Sequence, residues 1–132
     1  MKIAYKILAF FNAGRKILLI KKSSFFIIMQ GGNNMNASVA IQVLPGTQDE
    51  NEVIRIVDAV IDYIKSTGLS YYVGPCETSI EGDYDELMDV VKNCQIVAAK
   101  AGCKSMNTYV KIAYKTEGDV LTIEKKVTKH HQ

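Results

Sequence analysis

The segment Gly74-Pro75-Cys76-Glu77-Thr78-Ser79-Ile80-Glu81-Gly82-Asp83-Tyr84-Asp85-Glu86-Leu87 reads as a turn, a strand ending in an acid, and a capped helix start. Gly74-Pro75 is a strong turn signal. Thr78 and Ile80 alternate with Glu77, Ser79 and Glu81, which is the period of a strand. Gly82 permits a sharp exit. Asp83 can then cap a helix, with Glu86 three residues on as the return partner of a capping box. Glu81 falls where strand meets helix, a position suited to holding a small basic ligand.

Strands and helices alternate outward from this segment. Residues 37–44 form the first strand, with Val39, Ile41 and Val43 on one face and Ser38, Ala40 and Gln42 on the other. Pro45-Gly46 stops it. Thr47 or Asp49 starts a helix to about Thr67, with an apolar stripe of Val53, Ile54, Val57, Val60, Ile61 and Ile64 closed by Gly68. Residues 69–73 form the second strand and 76–81 the third. The second helix runs from Tyr84 to about Ala101, with Leu87, Val90, Val91, Cys94, Val97, Ala98 and Ala101 as its stripe and Gly102 at its end. Residues 106–115 form the fourth strand, and residues 121–129 a short last helix.

The order β-α-β-β-α-β with right-handed crossovers predicts an α+β, ferredoxin-like fold. Both helices cover one face of a four-stranded antiparallel sheet whose strand order is 4-1-3-2. Val39, Ile41, Val43, Ile80, Val110 and Ile112 face the helices. The other face gathers Ser38, Ala40, Gln42, Glu77, Ser79, Glu81, Asn107, Tyr109 and Lys111. That face has three possible uses: a solvated surface, a partner surface, or a small-molecule site roofed by a second subunit. Gln42, Ser79 and Asn107 are neutral donors and acceptors suited to a heteroaromatic edge. Glu81 can accept from a protonated ring nitrogen or amine. Tyr109, Tyr71 or Tyr72 can stack on a ring or face a cation, or simply pack in their strands.

The chain has 132 residues and a formal charge of +2, which hides a division. Residues 1–35 carry Lys2, Lys6, Arg15, Lys16, Lys21 and Lys22 and no acid, so residues 36–132 carry a net charge of −4. A nucleic-acid partner is not indicated for the folded part. The apolar runs before Met35 are short and interrupted, below the roughly 20 residues of a membrane helix, and no membrane partner is expected. Three cysteines without metal-ligand spacing read as reduced thiols of a cytoplasmic protein. Catalysis is poorly supported. His130 and His131 stand at the chain end, and there is no hydrolase triad, zinc motif or phosphate loop. Asp83, Asp85, Glu86 and Asp89 read as helix-start and surface charges, without a metal.

Val39-Ala40-Ile41-Gln42-Val43-Leu44-Pro45, Tyr71-Tyr72-Val73-Gly74-Pro75, Thr78-Ser79-Ile80-Glu81-Gly82-Asp83 with Asp85-Glu86-Leu87, and Val110-Lys111-Ile112 together resemble the small thiamine-binding proteins. These are similar to the hydroxymethylpyrimidine/thiamine-binding family. The resemblance covers residues 36–129, and Thr-x-Ile-Glu-Gly-Asp is its most specific piece. Cys76-Glu77 departs from the family pattern, where small or apolar residues are usual. The resemblance implies a ferredoxin-like fold, homodimers or homotetramers, and binding of thiamine or its hydroxymethylpyrimidine moiety without turnover and without a cofactor. The expected contacts are Glu81, Ser79, Gln42 and Asn107 for the pyrimidine and Tyr109 or Tyr72 for the thiazolium. The alternatives are a regulatory or assembly module whose open face is only an oligomer contact, and a small enzyme using Cys76 or Cys103.

Residues 1–35 have no counterpart in that family. Gln30-Gly31-Gly32-Asn33-Asn34-Met35 is what a purine-rich ribosome-binding site would encode in frame, which places the expected natural start at Met35. The gene sequence tests this: GGA-GG at Gly31-Gly32 is the expected result, and other codons would remove the reading.

Overall fold

The computed structural model describes the backbone of residues 7–12, 15–22 and 25–30, and residues 34–131 in full. The chain divides into two compact units, Met1–Asn33 and Asn34–Gln132. In the first, β1 (Ile7–Asn12), β2 (Arg15–Lys22) and β3 (Phe25–Gln30) form an antiparallel sheet in the order β1-β2-β3. The Gly31-Gly32-Asn33 part of the start-site reading lies outside the described residues.

The second unit runs β4 (Ala37–Pro45), α1 (Glu50–Ser66), β5 (Ser70–Val73), β6 (Thr78–Gly82), α2 (Tyr84–Lys100), β7 (Met106–Tyr114) and α3 (Ile123–Val127). A single 3₁₀ turn, Thr128–His130, follows. The sheet order is β5-β6-β4-β7, and all neighbours are antiparallel. This is the ferredoxin-like arrangement that the crossover rule dictates.

Local chemistry accounts for the element ends. The Asp49 carboxylate accepts from the N–H groups of Asn51 and Glu52 and caps α1. Asp83 does the same for α2 with Asp85 and Glu86, and the Asn36 side chain accepts from Tyr84 N–H. Each cap satisfies donors that the helix leaves free. Gly68 and Gly102 follow the two helices with φ of 73° and 100°, the left-handed geometry of a helix stop. Arg55 of α1 donates to Ala101 O at the end of α2 at 2.7 Å, so one helix helps finish the other. Gly82 matters for its size: a Cβ there would stand 3.2 Å from Leu69 Cδ2.

The core lies between the sheet and the two helices. Val39, Ile41, Val43 and Ile80 from the strands meet Ile56, Val60 and Ile64 of α1 and Leu87, Val90, Cys94 and Ala98 of α2. Two details differ from the sequence pattern. Ile56 is buried, whereas Ile54 of the expected stripe is 58% exposed, because α1 is turned about its axis to meet β4 and α2. Ile112 is on the helix side of β7, yet it is 47% exposed, because β7 is the outer strand.

The C-terminal segment crosses to the opposite face and lies over β5 and β6. Thr122 caps α3 through its side chain, which accepts from Lys125 N–H. Glu81 fastens the segment. Ser70 Oγ donates to its Oε1 at 3.0 Å, and Ile123 N–H donates to its Oε2 at 2.5 Å. Truncating the acceptor of a buried N–H, here that of Ile123, costs about 1–3 kcal/mol. Glu81→Ala is therefore expected to lower unfolding stability by about that amount and to speed amide exchange in α3. Glu81→Gln, which can still accept from Ile123 and donate to Ser70 Oγ, should be milder. Denaturant unfolding and hydrogen exchange check both.

Candidate functional site

The two faces of the sheet offer different surfaces. On the open face the register sets Ser38 between Glu81 and Ala113, Ala40 between Ser79 and Lys111, and Gln42 beside Tyr109. Ser70 and Tyr72 of β5 continue the rows of Glu81 and Ser79. Gln42, Ser79, Glu81, Asn107, Tyr109 and Tyr72 thus all have the facing expected from strand alternation. They do not form one cluster. Glu81 is 4% exposed and bound under α3. The Tyr72 hydroxyl lies 2.9 Å from His131 Nε2, so the chain end is docked against β5. Tyr109 stands on the far side of the sheet and is 63% exposed. Asn107 is opposite Leu44, further toward the strand end.

Sequence reasoning did not anticipate the partner of Lys111. Its ammonium reaches over β4 to Glu77 Oε1, at 2.6 Å. Ala40 is the β4 neighbour of Lys111, and its short side chain leaves the path clear. An exposed pair of this kind adds little stability, but it orders the free half of the face.

The described residues include a concave site on the helix side. It arises from unequal ladders. β4 pairs with β7 along nine positions, from Ala37 to Pro45, but with β6 along five, from Ala37 to Ile41. Beyond the Ile41–Thr78 pair, Gln42, Val43 and Leu44 have no strand beside them on the β6 side. The chain there turns away through Gly74, whose N–H donates to Glu77 O at 2.9 Å. A cleft of about 350 Å³ opens between this turn, the end of β4 and α1. Ile41 and Val43 line its sheet side, and Val53, Ile54, Val57 and Ile61 its helix side. Thr78, Cys76, Glu77 and Asp58 bring polar groups to it, and no lysine or arginine lines it. Apolar walls with a few polar groups are the usual makeup of a small-molecule site. The α1 stripe that sequence reasoning assigned to the core supplies much of this lining. The signal that could have exposed the cleft was the greater length of the first strand over the third.

The cysteines differ sharply in setting. Cys94 is buried in α2, and burial pushes its thiol up to about 11. Cys103 is buried and donates to Ser105 O at 3.0 Å. Cys76 is exposed at the cleft. No group of three His, Cys, Asp or Glu side chains among the described residues is placed to hold a metal. No helix among them is long and apolar enough to cross a membrane.

The sequence model of the thiamine-binding protein family matches residues 39–131. A UPF0045 protein of Clostridium perfringens is 40% identical over 93 residues, which is 70% of this chain and 95% of that protein. A domain of unknown function from Bacillus cereus superimposes with a TM-score of 0.63 at 36% identity, covering 73% of this chain and 90% of that one. A candidate thiamine biosynthesis/salvage protein from Thermotoga maritima gives 0.63 at 34% identity, covering 72% and 98%. Together, the matched residues and the shared fold establish that this chain belongs to the thiamine-binding protein family.

Proposed function

We propose that this chain binds thiamine, or its hydroxymethylpyrimidine moiety, reversibly and without turnover, as a self-associating cytoplasmic domain with no cofactor. Family membership supports the choice of ligand. The observation that carries the seat is the cleft at the end of the β4–β6 ladder. Thiamine is a flat aminopyrimidine joined to a thiazolium cation. The pyrimidine matches a slot with Ile and Val walls. Its polar edge matches the Thr78 side chain and the main chain of residues 42–44. The thiazolium matches a rim with the Asp58 carboxylate and no basic lining residue, since opposite charge near a protein surface is favourable. Cys76 is at the rim as an exposed thiol, without a histidine among the lining residues to activate it, which supports binding without chemistry.

A second seat is the free half of the open face, closed over by a neighbouring copy. What favours it is the common facing of Gln42, Tyr109 and Asn107 on β4 and β7, with Ser79 of β6 at its border. In that reading Glu81, bound under α3, acts by holding the C-terminal segment beside the seat.

Calorimetry of the full chain with thiamine, its phosphates and free hydroxymethylpyrimidine tests the function. Saturable binding is expected, together with slower alkylation of Cys76 in the bound state. Ile54→Arg places a cation at the rim of the cleft and should weaken thiamine roughly tenfold, about 1.4 kcal/mol. Loss of binding in Ser79→Ala and Tyr109→Ala, with Ile54→Arg unaffected, would move the ligand to the open face. No binding of any of these ligands would leave an assembly module.

A further inference from the structure

The charge around the cleft is one-sided. It is lined by β4, α1 and residues 73–78. Neither β4 nor residues 73–78 include a lysine or arginine. α1 carries Arg55 and Lys65, and both are paired within the helix, Arg55 with Glu52 at 2.8 Å and Lys65 with Asp62 at 3.6 Å. The start of α1 offers no anion seat either. Asn51 and Glu52 N–H donate to the Asp49 carboxylate, and Val53 N–H donates to the Asp49 carbonyl. The Glu77 carboxylate is taken by Lys111 on the open face. Asp58 is then the carboxylate left at the cleft, and no salt bridge engages it among the described residues. It shares a helix face with Ile54 and Ile61, which also line the cleft. Deeper in, Thr78 stands in the helix-side row of Ile80 and is 7% exposed. Its hydroxyl has no hydrogen-bond partner among the described residues. A buried polar group left unpaired is costly, and a ligand that bonds to it removes that cost.

We propose that the cleft selects unphosphorylated thiamine over its phosphate esters, and that Asp58 sets this preference while Thr78 holds the ring. The preference rests on the cleft being the seat of thiamine. Free thiamine is a cation. Esterifying its hydroxyethyl arm adds a group of about −1.5 to −2 charge at neutral pH. The arm leaves from the thiazolium, the half received at the rim beside Asp58. Proteins hold phosphate with arginine, lysine or free amides at a helix start. On α1 each of these is already engaged with an acid of the same helix or its cap. A phosphate at this rim meets a carboxylate and gives up water without a replacement donor. Thr78 serves the other half of the ligand. Its hydroxyl can donate or accept at the aminopyrimidine edge, which thiamine and its esters share. Affinity for the ring and discrimination by charge thus come from different residues.

Calorimetry of the full chain with thiamine, thiamine monophosphate and thiamine diphosphate tests this. Thiamine is expected to bind at least roughly tenfold tighter than the diphosphate, with a gap that narrows as ionic strength rises. Asp58→Lys, at an exposed position, should move the affinity ratio roughly tenfold toward the diphosphate, and Asp58→Asn should move it less. Thr78→Val should weaken thiamine and both esters alike and leave the ratio unchanged. Alkylation of Cys76 reads occupancy of the cleft independently: thiamine should slow it at a concentration where the diphosphate does not. Thiamine binding accompanied by equal or tighter binding of the diphosphate, or a ratio indifferent to Asp58→Lys, would overturn the selectivity and leave the choice of ligand standing. Absence of binding by all three would overturn both.

Discussion

The site depends on the inequality of two hydrogen-bond ladders along β4. This strand is the spine of the sheet, paired on both sides over its first five residues and on one side over its last four. A continuous second ladder would bring β6 alongside Val43 and Leu44 and close the space under α1. Because β6 starts late, at Thr78, main chain and the apolar sides of Ile41 and Val43 face a cleft instead of another strand. The Gly74-Pro75 turn maintains the gap: the Gly74 N–H to Glu77 O bond folds the connection back on itself before the ladder begins. A ferredoxin-like sheet with one layer of helices thus acquires a concavity at one end without losing its core.

The opposite face is governed by a different economy of polar groups. Glu81 occupies a row that the register leaves uncovered, beside Ser70 and Ser38. A carboxylate there can remain hydrated or be satisfied by protein donors. In this chain the C-terminal segment supplies a donor, Ile123 N–H, and the strand beside it supplies Ser70 Oγ. The segment that covers the carboxylate also brings His131 against Tyr72. The result is a face with a closed half over β5 and β6 and an open half over β4 and β7, where Tyr109, Lys111 and Asn107 remain exposed.

Periodicity carried a good deal of this. The alternation of Val39, Ile41 and Val43, the Thr78-Ser79-Ile80-Glu81 strand and the Asp83 cap are local statements, and each is found in the structure. The phase of α1 was less legible: Ile56 is buried and Ile54 is not, because residues two apart point to nearly opposite sides of a helix and contact with the sheet and α2 decides which of the two sides is covered. Glu81 was assigned the right face, but its hydrogen-bond partners come from residues 11 and 42 positions away. Nothing local announces such contacts.

Composition and pattern alone therefore determined the order of elements, the family resemblance and the side of the sheet on which each strand residue falls. These follow from backbone geometry, with its period of two in strands and 3.6 in helices. Tertiary structure decided where the concave site lies, that Glu81 supports α3, and that Lys111 meets Glu77. These depend on how far neighbouring ladders run and on which distant segments fold back over them. Both are properties of strand pairing across the chain, which no window of adjacent residues contains.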